Sequence, residues 1–175
     1  MKSTGKFLTL RGQMEQAQFQ NWNKENILDY ANVLDITKGW RVVYFKAWLG
    51  SYPSLDNPGQ GVEYAIHGIV GTDDMSFIES NGSDNRQIAW SNQLYSSGGK
   101  IGGAYSDGLM NESYVIDPDH VIQKQLDIYF FPGGGATMES QFVDINYIVY
   151  LEEMSLTPNE SIVSTIKQSA QNLEA

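Results

Sequence analysis

The densest group of reactive side chains in the sequence is Asp117-Pro118-Asp119-His120, two carboxylates and an imidazole within four residues. Such a set can hold a divalent cation or share a proton. The same residues also spell a turn, because aspartate side chains around a proline bond to nearby backbone amides, and the apolar run from Val121 follows at once. The turn is the stronger reading. A two-histidine metal site would need His67, the other histidine, brought beside His120. Glu152 and Glu153 form a second acidic pair, and with a loop carboxylate such as Asp73 or Asp74 they could coordinate Ca²⁺ between like-charged subunits. Such a pair is more often a solvated strand end before a helix, whose dipole favours negative charge. Asp117, Asp119, Glu152 and Glu153 are therefore the candidate calcium ligands, and no other cofactor is expected.

Nucleophilic chemistry finds less support. No Gly-x-Ser-x-Gly elbow is present and no serine is set off by its surroundings, so no catalytic residue is assigned and the chain reads as a non-enzyme. The clusters Gly98-Gly99-Lys100-Ile101-Gly102-Gly103 and Gly133-Gly134-Gly135 match neither phosphate-loop pattern, and no helical periodicity follows them. Four tryptophans and ten tyrosines permit a sugar-stacking face, with Tyr44 and Trp48 on one side of a strand. Aromatic residues on the second face of a sandwich equally fill an interface.

Composition narrows the frame around these residues. The 175-residue chain is 41% hydrophobic and 12% aromatic, enough for a substantial core, and no composition break divides it, so one domain over 1–175 is expected. Its 21 acids against 11 bases give a formal charge of −10, whose field repels nucleic-acid phosphates and anionic lipid. The first 30 residues hold four bases and three acids, which is no basic arm. Without cysteine there are no disulfides or thiolate metal sites. The Met1–Leu10 segment is too polar for a signal-peptide core, and no apolar run approaches the length of a membrane span.

The elements that must position these side chains are mostly strands. A period of two runs through 40–49, where Val43, Phe45, Ala47 and Leu49 are expected inward. It recurs in 62–70, in 86–95 with Ile88, Trp90 and Leu94 together, and in 121–131, which should stop at Pro132. Segments 7–14 and 27–36 are less regular candidates, and 96–113 reads as an extended connection. The run Tyr147-Ile148-Val149-Tyr150-Leu151 within 142–154 suggests a central strand buried on both faces. Then the period changes. Thr157, Pro158 and Glu160 stand as N-cap, N1 and N3 of a helix over 157–173, whose Ile162, Ile166, Ala170 and Leu173 form an apolar stripe. Short strands, turn clusters and one helix predict an all-β, two-sheet antiparallel sandwich over 1–156, with a jelly roll favoured over an immunoglobulin-like topology.

Three segments of the C-terminal half carry a resemblance: Asp84-Asn85-Arg86-Gln87-Ile88-Ala89-Trp90, Ile116 through Val121, and Ile145 through Met154 with the capped helix. They resemble small jelly-roll capsid or virion structural proteins of environmental and marine viruses or phages. The resemblance implies a self-assembling shell subunit, made in the host cytoplasm and located in the virion, with copies of itself and other virion proteins as partners. Trp22, Trp48, Tyr105, Phe131, Ile162 and Ile166 are the candidate interface residues. The missing basic arm departs from that pattern and argues against direct genome packaging. A carbohydrate-binding sandwich module is the alternative.

Overall fold

The structure is a computed structural model, describing residues 1–29, 35, 37–50, 62–72, 80–97, 107–134 and 141–169. The strands are β1 (Lys2–Gln18), β2 (Asn23–Asp29), β3 (Lys38–Leu49), β4 (Val62–Gly71), β5 (Gln87–Ser97), β6 (Asp107–Val115), β7 (Val121–Ile122), β8 (Gln125–Gly134) and β9 (Phe142–Ser155). One helix, α1 (Pro158–Ser169), follows β9. Sheet A has the order β1-β9-β3-β7 and sheet B the order β2-β8-β4-β5-β6, with antiparallel pairing throughout.

This order identifies the topology. The first strand pairs with the last, β2 with β8, β3 with β7 and β4 with β5, so the chain is one long hairpin rolled into two sheets. From β1 to β4 each strand lies in the opposite sheet from the one before it. That is a jelly roll, with β6 added outside β5, and not an immunoglobulin-like order.

The rolled sheets bury a main core between them. Phe45 of β3 and Phe130 of β8 stack in its middle with ring centroids 6.5 Å apart, and Tyr147 of β9 lies tilted against Phe130 at 6.2 Å. Ile66, Val70, Ile122, Ile128, Ile145, Val149 and Leu151 close around them. Gly68 makes this packing fit: a Cβ there would lie 2.8 Å from Phe130 and 3.1 Å from Phe45.

Several strands differ from the sequence expectation for identifiable reasons. In β3 a register shift between Val42 and Tyr44 turns Val43 outward, 47% exposed, while Val42 and Phe45 stay buried. β9 is central, between β1 and β3, but within the run 147–151 only Tyr147, Val149 and Leu151 face the core; Tyr150 is 41% exposed. In β5 the inner row is Ala89, Ser91 and Gln93, whereas Trp90 is half-buried beside Ile69 and Tyr129, and Leu94 is exposed. The segment 121–131 is two strands, and β8 runs on through Pro132. Pro132 pairs with Ile66 of β4, and its carbonyl accepts the Gln20 N–H on the other side, beyond the start of β2, so no ladder donor is lost to β4. β1 is longer than 7–14, β2 begins before 27, and β6 occupies part of the expected 96–113 connection.

The reversed β5 face has a purpose in the sheet A edge. β7 covers only Trp40 and Arg41 of β3, and among the described residues no strand pairs with β3 farther along that side. The buried Ser91 Oγ accepts from Ala47 N–H at 3.0 Å and the buried Gln93 Oε1 accepts from Leu49 N–H at 2.9 Å. Polar side chains thus occupy a core row because buried amides require acceptors there.

Candidate functional site

Helix α1 starts as its sequence dictates. Thr157 N–H donates to Glu160 Oε2 at 2.8 Å, and Glu160 N–H donates to Thr157 Oγ1 at 3.3 Å, a reciprocal capping box. The side of α1 that meets the sandwich is the polar one. Ser161 is buried and its Oγ accepts from Gln123 Nε2 at 2.8 Å, while Ser164 Oγ donates to the Val121 carbonyl at 3.1 Å. Val121 belongs to the two-residue edge strand β7, so this hydroxyl ties α1 to the edge of sheet A. The apolar stripe consequently faces away: Ile162 is 57%, Val163 64% and Ile166 60% exposed. Ala170 and Leu173 lie outside the described residues.

Beside this stripe a cleft of about 360 Å³ opens, lined mainly by Met1, His120, Val121, Leu156 and Val163. Its size falls within the range of small-ligand pockets, and its walls are largely apolar. His120 is buried, and its presence here follows from the turn: its N–H donates to the Asp117 carbonyl at 3.2 Å, and Nδ1 lies 3.5 Å from Asp117 Oδ2. Asp119 is exposed at the cleft edge.

The other acidic pair has basic and hydroxyl partners. Glu152 accepts from Ser3 Oγ and forms an ion pair with Arg41, and these contacts hold its carboxyl below the ordinary glutamate range. Glu153 accepts from Thr4 Oγ1 at 2.8 Å and lies 3.6 Å from Lys6 Nζ. Among the described residues no three His, Asp or Glu side chains converge on a metal position, so Asp117 and Asp119 are not joined with Glu152 and Glu153. Asp73 and Asp74 lie outside the described residues.

The aromatic interface candidates divide between the two outer faces. Trp22 and Phe131 meet at 5.4 Å on sheet B, where both are half-buried. Trp48 is half-buried on β3 opposite Asn146 of β9. Nearby on β3 and β9, Tyr44 and Tyr150 stack at 5.3 Å, a cross-strand pair that sequence periodicity did not show. Tyr105 lies outside the described residues. The helix stripe is the candidate that the structure leaves most open to solvent.

No protein-family model matches the chain, and no curated protein matches it. Among solved structures it is similar to Trichodysplasia spinulosa-associated polyomavirus VP1 in complex with 3′-sialyllactose, at 9% identity and a TM-score of 0.45, over 87% of this chain and 97% of that one. It is similar also to VP1 of the same virus alone, at 10% identity and a TM-score of 0.45, over 90% of this chain and 98% of that one.

Proposed function

We propose that the chain is a self-assembling structural subunit of a virus shell, of the environmental or marine kind that its C-terminal half resembles. One observation carries this reading: α1 docks through its serines and turns Ile162, Val163 and Ile166 to solvent. A surface helix normally does the reverse, burying its apolar stripe in its own core. Full burial of one such side chain is worth about 1.5–3 kcal/mol, so covering these three from their present exposure would contribute about 3–5 kcal/mol. Another copy of the chain is the cover that a shell supplies, with other virion proteins as further partners and the virion as location. The jelly roll fits the reading without deciding it, since lectin domains and cupins share the architecture.

Sedimentation velocity across protein and salt concentration, with and without Ca²⁺, tests the reading. Reversible growth to closed or regular oligomers supports it, and a monomer throughout overturns self-assembly by this chain. The carbohydrate-binding alternative draws on Tyr44, Tyr150 and Trp48, but the two tyrosines present their faces to each other at 29°, which leaves less flat surface for a sugar ring. A glycan array without hits removes it.

A further inference from the structure

On the outer face of sheet B, away from α1, three polar side chains from separate segments meet in sequence. His67 lies within β4, and the ladder places Asn92 of β5 directly opposite it. Asn92 Oδ1 contacts Nδ1 of the ring, and Ser80 Oγ contacts Nε2. An amide oxygen only accepts, so Nδ1 carries the ring proton and the bare Nε2 accepts the Ser80 hydroxyl. The ring is half-buried, with Trp22 edge-on at 5.7 Å and Phe131 packed against Trp22. Burial lowers the His67 pKa, the Asn92 hydrogen bond offsetting this in part, so the imidazole is neutral at pH 7. Ser80 itself is exposed and open to a substrate.

A serine bonded to the basic nitrogen of a neutral imidazole, itself oriented by a third group, is the arrangement that activates a hydroxyl nucleophile. We propose that Ser80, His67 and Asn92 form such a relay, taking acyl groups from small carboxylic esters with Trp22 and Phe131 as the apolar wall. Ser80 Oγ bonds to the ester carbonyl carbon while its proton passes to His67 Nε2. The tetrahedral adduct then breaks its bond to the alcohol oxygen, and the alcohol leaves with the proton from Nε2. Water repeats the two transfers on acyl-Ser80, releasing the carboxylic acid and restoring the hydroxyl. Ser80 and His67 are the catalytic residues here, and Asn92 is a positioning residue. This activity is separate from shell assembly and does not depend on it.

The test is covalent labelling of the full chain by a fluorophosphonate, which bonds to an activated serine with loss of fluoride, read by intact mass and peptide mapping. The expected result is one adduct per chain on Ser80, absent in Ser80→Ala and slowed by about 10²-fold or more in His67→Gln, the low end of a general base's contribution. Asn92→Leu should slow labelling and move its pH midpoint, and Asn92→Asp should recover the rate. Labelling of the unaltered protein should rise with pH through a midpoint below 6.5, the ordinary imidazole value, and then level off. Ser80 reacting no faster than the exposed Ser83, or a His67→Gln protein that folds by near-ultraviolet circular dichroism and labels at the original rate, would overturn the proposal. If His67→Gln does not fold, the pH profile decides alone: a plateau supports the relay, and a rate rising without limit with hydroxide contradicts it.

Discussion

Removing the acceptors that β5 sends to the open side of β3 should destabilise the chain far more than their chemistry suggests. Ser91→Ala deletes one small hydroxyl and Gln93→Leu exchanges an amide for an apolar group of similar size. In most core rows the second change would be tolerated. Here each leaves a buried backbone N–H, of Ala47 or Leu49, without its partner at 3.0 or 2.9 Å. A buried donor left unsatisfied costs about 1–3 kcal/mol, so the double variant should lose about 2–6 kcal/mol if the two sites act independently. With a urea m-value of about 2 kcal/mol/M, each single variant should unfold about 0.5–1.5 M earlier. The control is Leu94→Gln on the same strand, an exposed position where the change should stay within about 0.5 kcal/mol. Equilibrium urea unfolding followed by tryptophan fluorescence gives all four midpoints. If Ser91→Ala and Gln93→Leu unfold with the control, β5 does not cap the β3 edge and the reasoning fails.

Three further outcomes follow from packing, charge and capping. Gly68→Ala should destabilise by about 1–3 kcal/mol, the usual range for overpacking, because its methyl meets both Phe130 and Phe45; a thermal melt checks it. Glu152 is held below its ordinary value of 4.5 by the Ser3 hydrogen bond and then by Arg41, so the folded state binds its proton less readily than the unfolded chain. Its stabilising contribution is complete above 4.5 and is lost as pH falls through the lower folded value; Glu152→Gln should flatten the urea midpoint against pH over that window. Thr157→Ala removes the N-cap hydroxyl that accepts from Glu160 N–H and should cost about 0.5–2 kcal/mol, read as faster amide exchange in the first turn of α1.

What the sequence disclosed was local, and what it withheld depended on distant partners. The capping box sits within four residues and forms as its spacing implies. The strands of period two exist because alternation is written along the chain, but which strands pair is set by closure of the whole hairpin. On β5, apolarity chose Ile88, Trp90 and Leu94 as a common face, while Ser91 and Gln93 point inward to meet a need created by the shortness of β7 in the other sheet. Val43 was misplaced because a bulge shifts the phase of β3, and nothing in the local composition announces it. The α1 stripe was visible as apolar residues at helical spacing, yet its direction was not: Ser161 and Ser164 bond to Gln123 and to the Val121 carbonyl, and the opposite face turns outward. The meeting of Ser80, His67 and Asn92 had no sequence signature either, since ladder register joins two of them and the chain before the 81–86 turn supplies the third.

Photocrosslinking at position 163 addresses the shell reading most directly. With a benzophenone amino acid replacing Val163, irradiation of the purified chain should give dimers and larger species whose crosslinked peptides join two copies. Introducing Ile162→Glu and Ile166→Glu should abolish those species while shifting the thermal midpoint little, because both positions are already exposed. Crosslinks confined to a single chain, at concentrations where sedimentation shows assembly, would mean that the apolar face of α1 is not the surface through which copies join.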